Sequence, residues 1–317
     1  MKAMIDSSYI ILSTIPVILS ALGTGIGQGL IGKQALQSMI KQPSASNALS
    51  KLCIIGTAIT ETAAIMGVLI SLLLINDANS IENIWSHYAL IGIAFAMGIS
   101  GFFAGIASSF PVIASCQSLA RQPFLQGKIL NIMLITQTLI MTPTIFGLLF
   151  SLLIKGKMIE TESFTQALQL LASGLSIGLG CIGPSIGLSL FAFAACSAIG
   201  INTKAYTKIL TFTFICEAII ETPVIFSLLI SLLIFTTTIN PESILQGWQF
   251  LAGALCIGLS TISPGINSGK TAATAAIQIA HNLEMYSNLS KLTMLALAMI
   301  DSFTIYGLLI SMIMILH

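Results

Sequence analysis

Charge is what this chain has least of. Of its 317 residues only 7% are Asp, Glu, Lys or Arg, while 56% are hydrophobic. Ordinary soluble domains carry about 25% charged residues, so a globular life in water is excluded. Twelve basic and eleven acidic residues leave a formal net charge of +1, which excludes the basic face that a nucleic-acid binder needs. Cysteine is also sparse. Cys53, Cys116, Cys181, Cys196, Cys216 and Cys256 lie inside apolar runs, with neither metal-ligand spacing nor a paired pattern. They read as small apolar side chains. His87, His281 and His317 fall at loops or at the end of the chain and are expected to be solvated.

Long apolar runs are abundant. A membrane crossing needs about 18 apolar residues, and eight runs qualify, near 8 to 40, 52 to 75, 88 to 120, 129 to 154, 166 to 200, 209 to 236, 248 to 280 and 292 to 316. An all-α membrane protein with eight crossings follows, with both termini on one side. Lys2 precedes an apolar stretch and small residues follow at Ala21, in the manner of a signal peptide. Cleavage there would remove part of a repeating unit, so this run is expected to remain as a span.

The repeat has a period of 80. Glu61, Met141, Glu221 and Asp301 stand in register, followed by Thr62, Thr142, Thr222 and Ser302, and further on by Ser71, Ser151, Ser231 and Ser311. Four tandem helical hairpins account for the chain, at 1–79, 80–160, 161–240 and 241–317. Each has an even number of crossings, so all four point the same way, unlike the inverted repeats of many transporters. A unit that cannot bury its flanks alone expects like neighbours on both sides.

Nine of the twelve basic residues (Lys33, Lys41, Lys51, Arg121, Lys128, Lys204, Lys208, Lys270 and Lys291) belong to the loops inside the hairpins or the helix ends beside them. The connectors hold Asp77, Glu82, Glu160, Glu162 and Glu242. The positive-inside rule puts the hairpin loops in the cytoplasm, and Trp85 and Trp248 where the chain re-enters from the opposite face. The first helices are glycine-rich, from Gly23, Gly25, Gly27 and Gly29 to Gly183, Gly187, Gly265 and Gly269. No strand precedes this glycine run and no acid follows at the distance a dinucleotide fingerprint requires. Small residues let membrane helices approach closely, so the first helices are expected to pack on one another along the inside of a curve.

A carboxylate at the centre of a membrane helix is a functional hypothesis by default, because it costs roughly 2.5 to 3.5 kcal/mol on insertion scales. Three hairpins place one at the same depth: Glu61, Glu221 and Asp301. Met141 breaks the column, so the second hairpin cannot hold an ion by charge. Around the column stand oxygens suited to a hard cation. A hydroxyl follows in every copy, including the one without the acid, which suggests service to a neighbouring hairpin. Gln28, Ser108, Leu188 and Ser268 share a column on the first helices. Pro143 and Pro223 are expected to free the carbonyls of Leu139 and Ile219, either as ligands or as kinks. Glu217 lies one turn before Glu221 and cannot ionise alongside it, so it should hold or share a proton, as a secondary ligand or as a hydrogen-bonded structural group.

The glycine-rich stretch Gly25-Ile26-Gly27-Gln28-Gly29, the loops Lys41-Gln42-Pro43 and Arg121-Gln122-Pro123, and a central acid on the second helix together resemble the proteolipid, or c-type ring protein, of F-type ATP synthases, here with four hairpins fused. The resemblance implies a non-catalytic subunit of a homo-oligomeric ring in the cell (inner) membrane. It implies as partners a stator a subunit, central stalk subunits gripping those two loops, and membrane lipid, with transported Na+ or H+ in place of any permanent cofactor. Gln28, Glu61 and Thr62 resemble the sodium-binding version of the family's site, as do Asp301, Ser302 and Tyr306, with Ser268 where the family has glutamine. Met66 stands where the first copy should have tyrosine. Loops three and four depart further, reading Ile201-Asn202-Thr203 and Asn282-Leu283. Fusion and the missing carboxylate look more like vacuolar and archaeal-type rings. A non-rotary channel or transporter, and a membrane scaffold, remain as alternatives.

Overall fold

A computed structural model describes residues 2–77, 84–241 and 243–317. Glu82, Glu242 and the boundary between residues 79 and 80 lie outside the described residues, as does the side chain of Lys2. Eight helical spans of 34 to 38 residues run up and down as four hairpins. At 1.5 Å per residue a 34-residue span is about 51 Å long, against a hydrocarbon core of about 30 Å. The hairpin ends therefore project beyond the lipid.

Hairpin 1 pairs α1 (Lys2–Lys41) with α2 (Ser46–Asn76). The first span of hairpin 2 is built from α3 (Ser86–Ile93), a π-helical segment (Ala94–Ile99), α4 (Ser100–Ala107) and α5 (Ser109–Arg121). Its second span comprises α6 (Gln126–Ile140) and α7 (Thr142–Met158). Hairpin 3 has α8 (Phe164–Gly180), α9 (Ile182–Ile201) and α10 (Tyr206–Thr236). Hairpin 4 has α11 (Ile244–Ser260), α12 (Ile262–His281) and α13 (Tyr286–Leu316). The breaks after Ala107, Gly180 and Ser260 each stand just before a proline (Pro111, Pro184 and Pro264), which has no N–H for the preceding turn. Pro143 likewise accompanies the break at Met141, whereas Pro223 is carried inside an unbroken helix.

The repeated serine ties each hairpin together. Ser231 Oγ donates to Ser173 O and Ser311 Oγ to Gly253 O, both at 2.9 Å, and Ser71 Oγ accepts from Val17 N–H. All four loops make the same short 3-10 turn, and the residue before it keeps φ between −135° and −139°. Asn202 and Asn282 hold the two degenerate loops by accepting from the N–H of Lys204 and Glu284, the local side-chain bond that suits Asn to turns.

The hairpins stand side by side in chain order, first helices against first helices, with each second helix over the groove leading to the next hairpin. Glycine makes the inner contact possible. A Cβ on Gly183 would lie 2.5 Å from the Ile262 backbone, and one on Gly187 or Gly269 would collide with the facing backbone of Gly265 or Gly187. At its two ends the row is open. In the most apolar 18-residue stretch of the first span, 67% and 72% of the residues are buried in hairpins 2 and 3, but only 33% and 44% in hairpins 1 and 4.

At the connector end Lys155 pairs with Asp77 at 2.5 Å, and Lys157 donates to Phe235 O and lies over that ring. Trp85 packs on Tyr88 and Phe164, while Trp248 is exposed. All six cysteines are free thiols. The expectation of a solvated His87 is corrected. Its ring is partly buried, 2.8 Å from Ser8 Oγ and edge-on to Tyr9, because α1 packs against the start of α3.

Candidate ion-binding site

The three seams within the chain have different chemistry. Between hairpins 1 and 2, Met141 fills the carboxylate position and packs on Ala63 and Ala104. Beside it lies a polar network that the repeat did not announce. Gln137 Nε2 donates to Gly56 O at 2.7 Å and to Thr60 Oγ1 at 3.1 Å, and Ser108 Oγ donates to Thr60 Oγ1 at 3.0 Å. All three side chains are fully buried. Thr60 has isoleucine as its mate in every other hairpin, a departure from register that could have flagged it. Thr62 turns back to Ile59 O.

Between hairpins 2 and 3 the Thr142 hydroxyl lies beside Glu221 across the seam. The copy without an acid thus sets its hydroxyl beside its neighbour's acid. Glu221 is partly exposed, and Glu217, one turn earlier, is fully buried. Between hairpins 3 and 4 Asp301 is 9% exposed and its Oδ1 lies 3.4 Å from Ser268 Oγ. Thr222 and Ser302 instead bond Ala218 O and Met299 O of their own helices.

Hairpin 1 begins the row, and Glu61 is exposed there. Gln28 donates to Thr57 O at 3.3 Å and does not meet Glu61. Tyr306 is 59% exposed and stacks edge-to-face on Phe303, so the structure does not bring it to Asp301. At the loops Lys41, Pro43 and Arg121 are exposed, Gln42, Gln122 and Pro123 are partly so, and Phe124 is 76% exposed.

Comparison with known proteins bears on this row of carboxyls. The family model for the ATP synthase C subunit matches four times, at residues 11–74, 91–154, 171–234 and 251–314. The chain belongs to the ATP synthase C-subunit family. Single-hairpin relatives match one repeat each. The ATP synthase c subunit of Dehalococcoides mccartyi is 43% identical over 69 residues, which is 22% of this chain and 91% of the relative. The protein of the same name from Chloroflexus aurantiacus is 39% identical over 69 residues (22% and 91%), and that from Bacillus thuringiensis 39% over 67 residues (21% and 93%). This four-hairpin member of the family is thus a multi-pass membrane protein and a non-catalytic component of an ATP synthase-type complex.

Proposed function

We propose that several copies of this chain close into a rotor ring whose mid-membrane carboxyls, Glu61, Glu221 and Asp301, carry H+ or Na+ between two half-channels of a stator a subunit. The observation that carries the reading is the approach of the Thr142 hydroxyl to Glu221 across a seam, which supports the join between hairpins as the place where a travelling carboxyl is held. Its register counterpart for Glu61 is Ser302, which belongs to the far edge of the row. Glu61 therefore finds its seam against a second copy. Gly25 and Gly29 agree. A Cβ on either meets nothing within 4 Å in the single chain, while their mates Gly105, Gly265 and Gly269 are pressed against the preceding hairpin.

A bare carboxylate facing lipid is prohibitive, so each acid travels neutralised and ionises where water reaches it. An ion crossing the full potential delivers about 2.3 kcal/mol per 100 mV. Gln28, Glu61 and Thr62 carry the oxygens suited to Na+, and closing the seam against a second copy would have to turn Gln28 and Thr62 toward Glu61. Lys41, Gln42, Pro43, Arg121, Gln122 and Pro123 face the cytoplasm and grip the central stalk. The fusion and the silent Met141 favour a second reading, the proteolipid of a V/A-type ion pump. The subunits that copurify with the ring separate the two.

The test is carbodiimide labelling of the membrane complex with and without Na+, followed by peptide mass spectrometry. Labelling of Glu61, Glu221 and Asp301 is expected, with millimolar Na+ protecting Glu61. Three unreactive acids would refute the carrier role.

A further inference from the structure

Two columns beside the carboxyls trade places between hairpins 3 and 4. On the second helix, one turn before the acid, stand Thr57, Gln137, Glu217 and Leu297; on the first helix stand Gln28, Ser108, Leu188 and Ser268. Hairpin 4 combines Ser268, whose hydroxyl lies 3.4 Å from Asp301, with a fully buried Leu297. Hairpin 3 has the reverse. Its first helix offers only Leu188, fully buried, and its second helix offers Glu217.

Glu217 is 0% exposed, and neither carboxyl oxygen has a hydrogen-bond partner. By register it enters the seam with hairpin 2, as Gln137 enters the seam with hairpin 1. There it shares its surroundings with Cys196 of α9, which itself reaches Thr136 of α6. The ionisable groups around Glu217 are Glu221, Cys196 and Cys216, none of them a cation, and Cys181 adjoins Glu221. A buried charge with no counter-ion and no donor neutralises itself, so Glu217 keeps its proton. That proton needs an acceptor, and Glu221 lies at i+4 on the same helix, the spacing at which helical side chains meet.

We propose that Glu217 is a positioning residue for Glu221: as a neutral carboxylic acid it supplies the hydrogen-bond donor that Ser268 supplies to Asp301. This rests on the carrier reading of the acids. Glu221 would then have Thr142 from across the seam and Glu217 from its own helix, two donors that favour its carboxylate form when the ion leaves.

The experiment follows carbodiimide labelling of Glu221 against pH in the assembled membrane complex by peptide mass spectrometry, with Asp301 in the same chain as the control for assembly. Glu217→Gln retains a donor and should leave the Glu221 profile where it is. Glu217→Leu, which copies hairpin 4 at this position, should extend Glu221 labelling to higher pH by about one unit, a tenfold change in proton affinity, without moving Asp301. Adding Leu188→Ser to Glu217→Leu should restore the original profile. An unmoved Glu221 profile in Glu217→Leu overturns the inference, and so does a shift to lower pH in both single variants, the mark of a charged Glu217. A wild-type complex in which neither Glu221 nor Asp301 reacts overturns the carrier reading itself.

Discussion

At the residue scale the seams are decided by side chains that share no column. Gln137, Thr60 and Ser108 come from three helices of two hairpins, and each is an ordinary polar residue when read along the chain. Packing alone makes them partners. In Gln137→Leu the Gly56 carbonyl and Thr60 hydroxyl lose a buried donor, at a cost of about 1–3 kcal/mol. The detergent-solubilised ring should accordingly dissociate at a lower temperature than wild type in a thermal electrophoresis series. Tyr306 gives the opposite expectation. With its ring 59% exposed and set against Phe303, Tyr306→Phe should leave the concentration of Na+ that protects Asp301 from carbodiimide unchanged. A large rise in that concentration would bring the tyrosine hydroxyl into the site.

At the scale of elements, the eight spans and their hairpin pairing were legible because apolar length and an 80-residue period report on lipid and on repetition directly. The glycines of the first helices announced close approach, and Gly187 against Gly265 is such an approach. Gly187→Leu would wedge two first helices apart at backbone contact, so ring assembly should fail on native gels. Gly127→Ala, where a Cβ meets nothing within 4 Å and the register mates Asn47, Thr207 and Ser287 already carry side chains, should assemble as wild type. The loops were less legible. Asn202 and Asn282 look like decay of a Gln-Pro pattern, yet they make the same turn with a side-chain bond in place of the proline. The helix breaks before Pro111, Pro184 and Pro264 follow from the missing proline N–H and are as local to the chain as Pro143 and Pro223.

At the scale of the whole molecule, fusion makes the seams within one chain unequal, and the proposed ring would inherit that inequality. Gly29 lies on the open edge of hairpin 1, so Gly29→Leu should let the chain insert and fold while preventing closure. Native mass spectrometry should then find open or single-chain species in place of a closed assembly. On the proposed carrier role, with Met141 silent, each chain would carry three ions per passage on four hairpins. Ion counting against ATP in the purified complex should give three quarters of the ratio that the hairpin number implies, a gearing that favours ATP-driven pumping when the driving force is low. A ratio equal to the hairpin count would show an ion carried at the Met141 seam.

The linear order of residues settled by itself that this chain crosses a membrane eight times, in four like units, with three acids at one depth. Those properties depend on transfer to lipid and on periodicity, both local to the chain. Which oxygen faces which acid was settled only by the packed row, because a seam is made by side chains about 80 residues apart whose meeting depends on how closely two helices lie. That is why Thr142 serves Glu221, why Gln137 closes the silent seam, and why Glu61 is left at an edge.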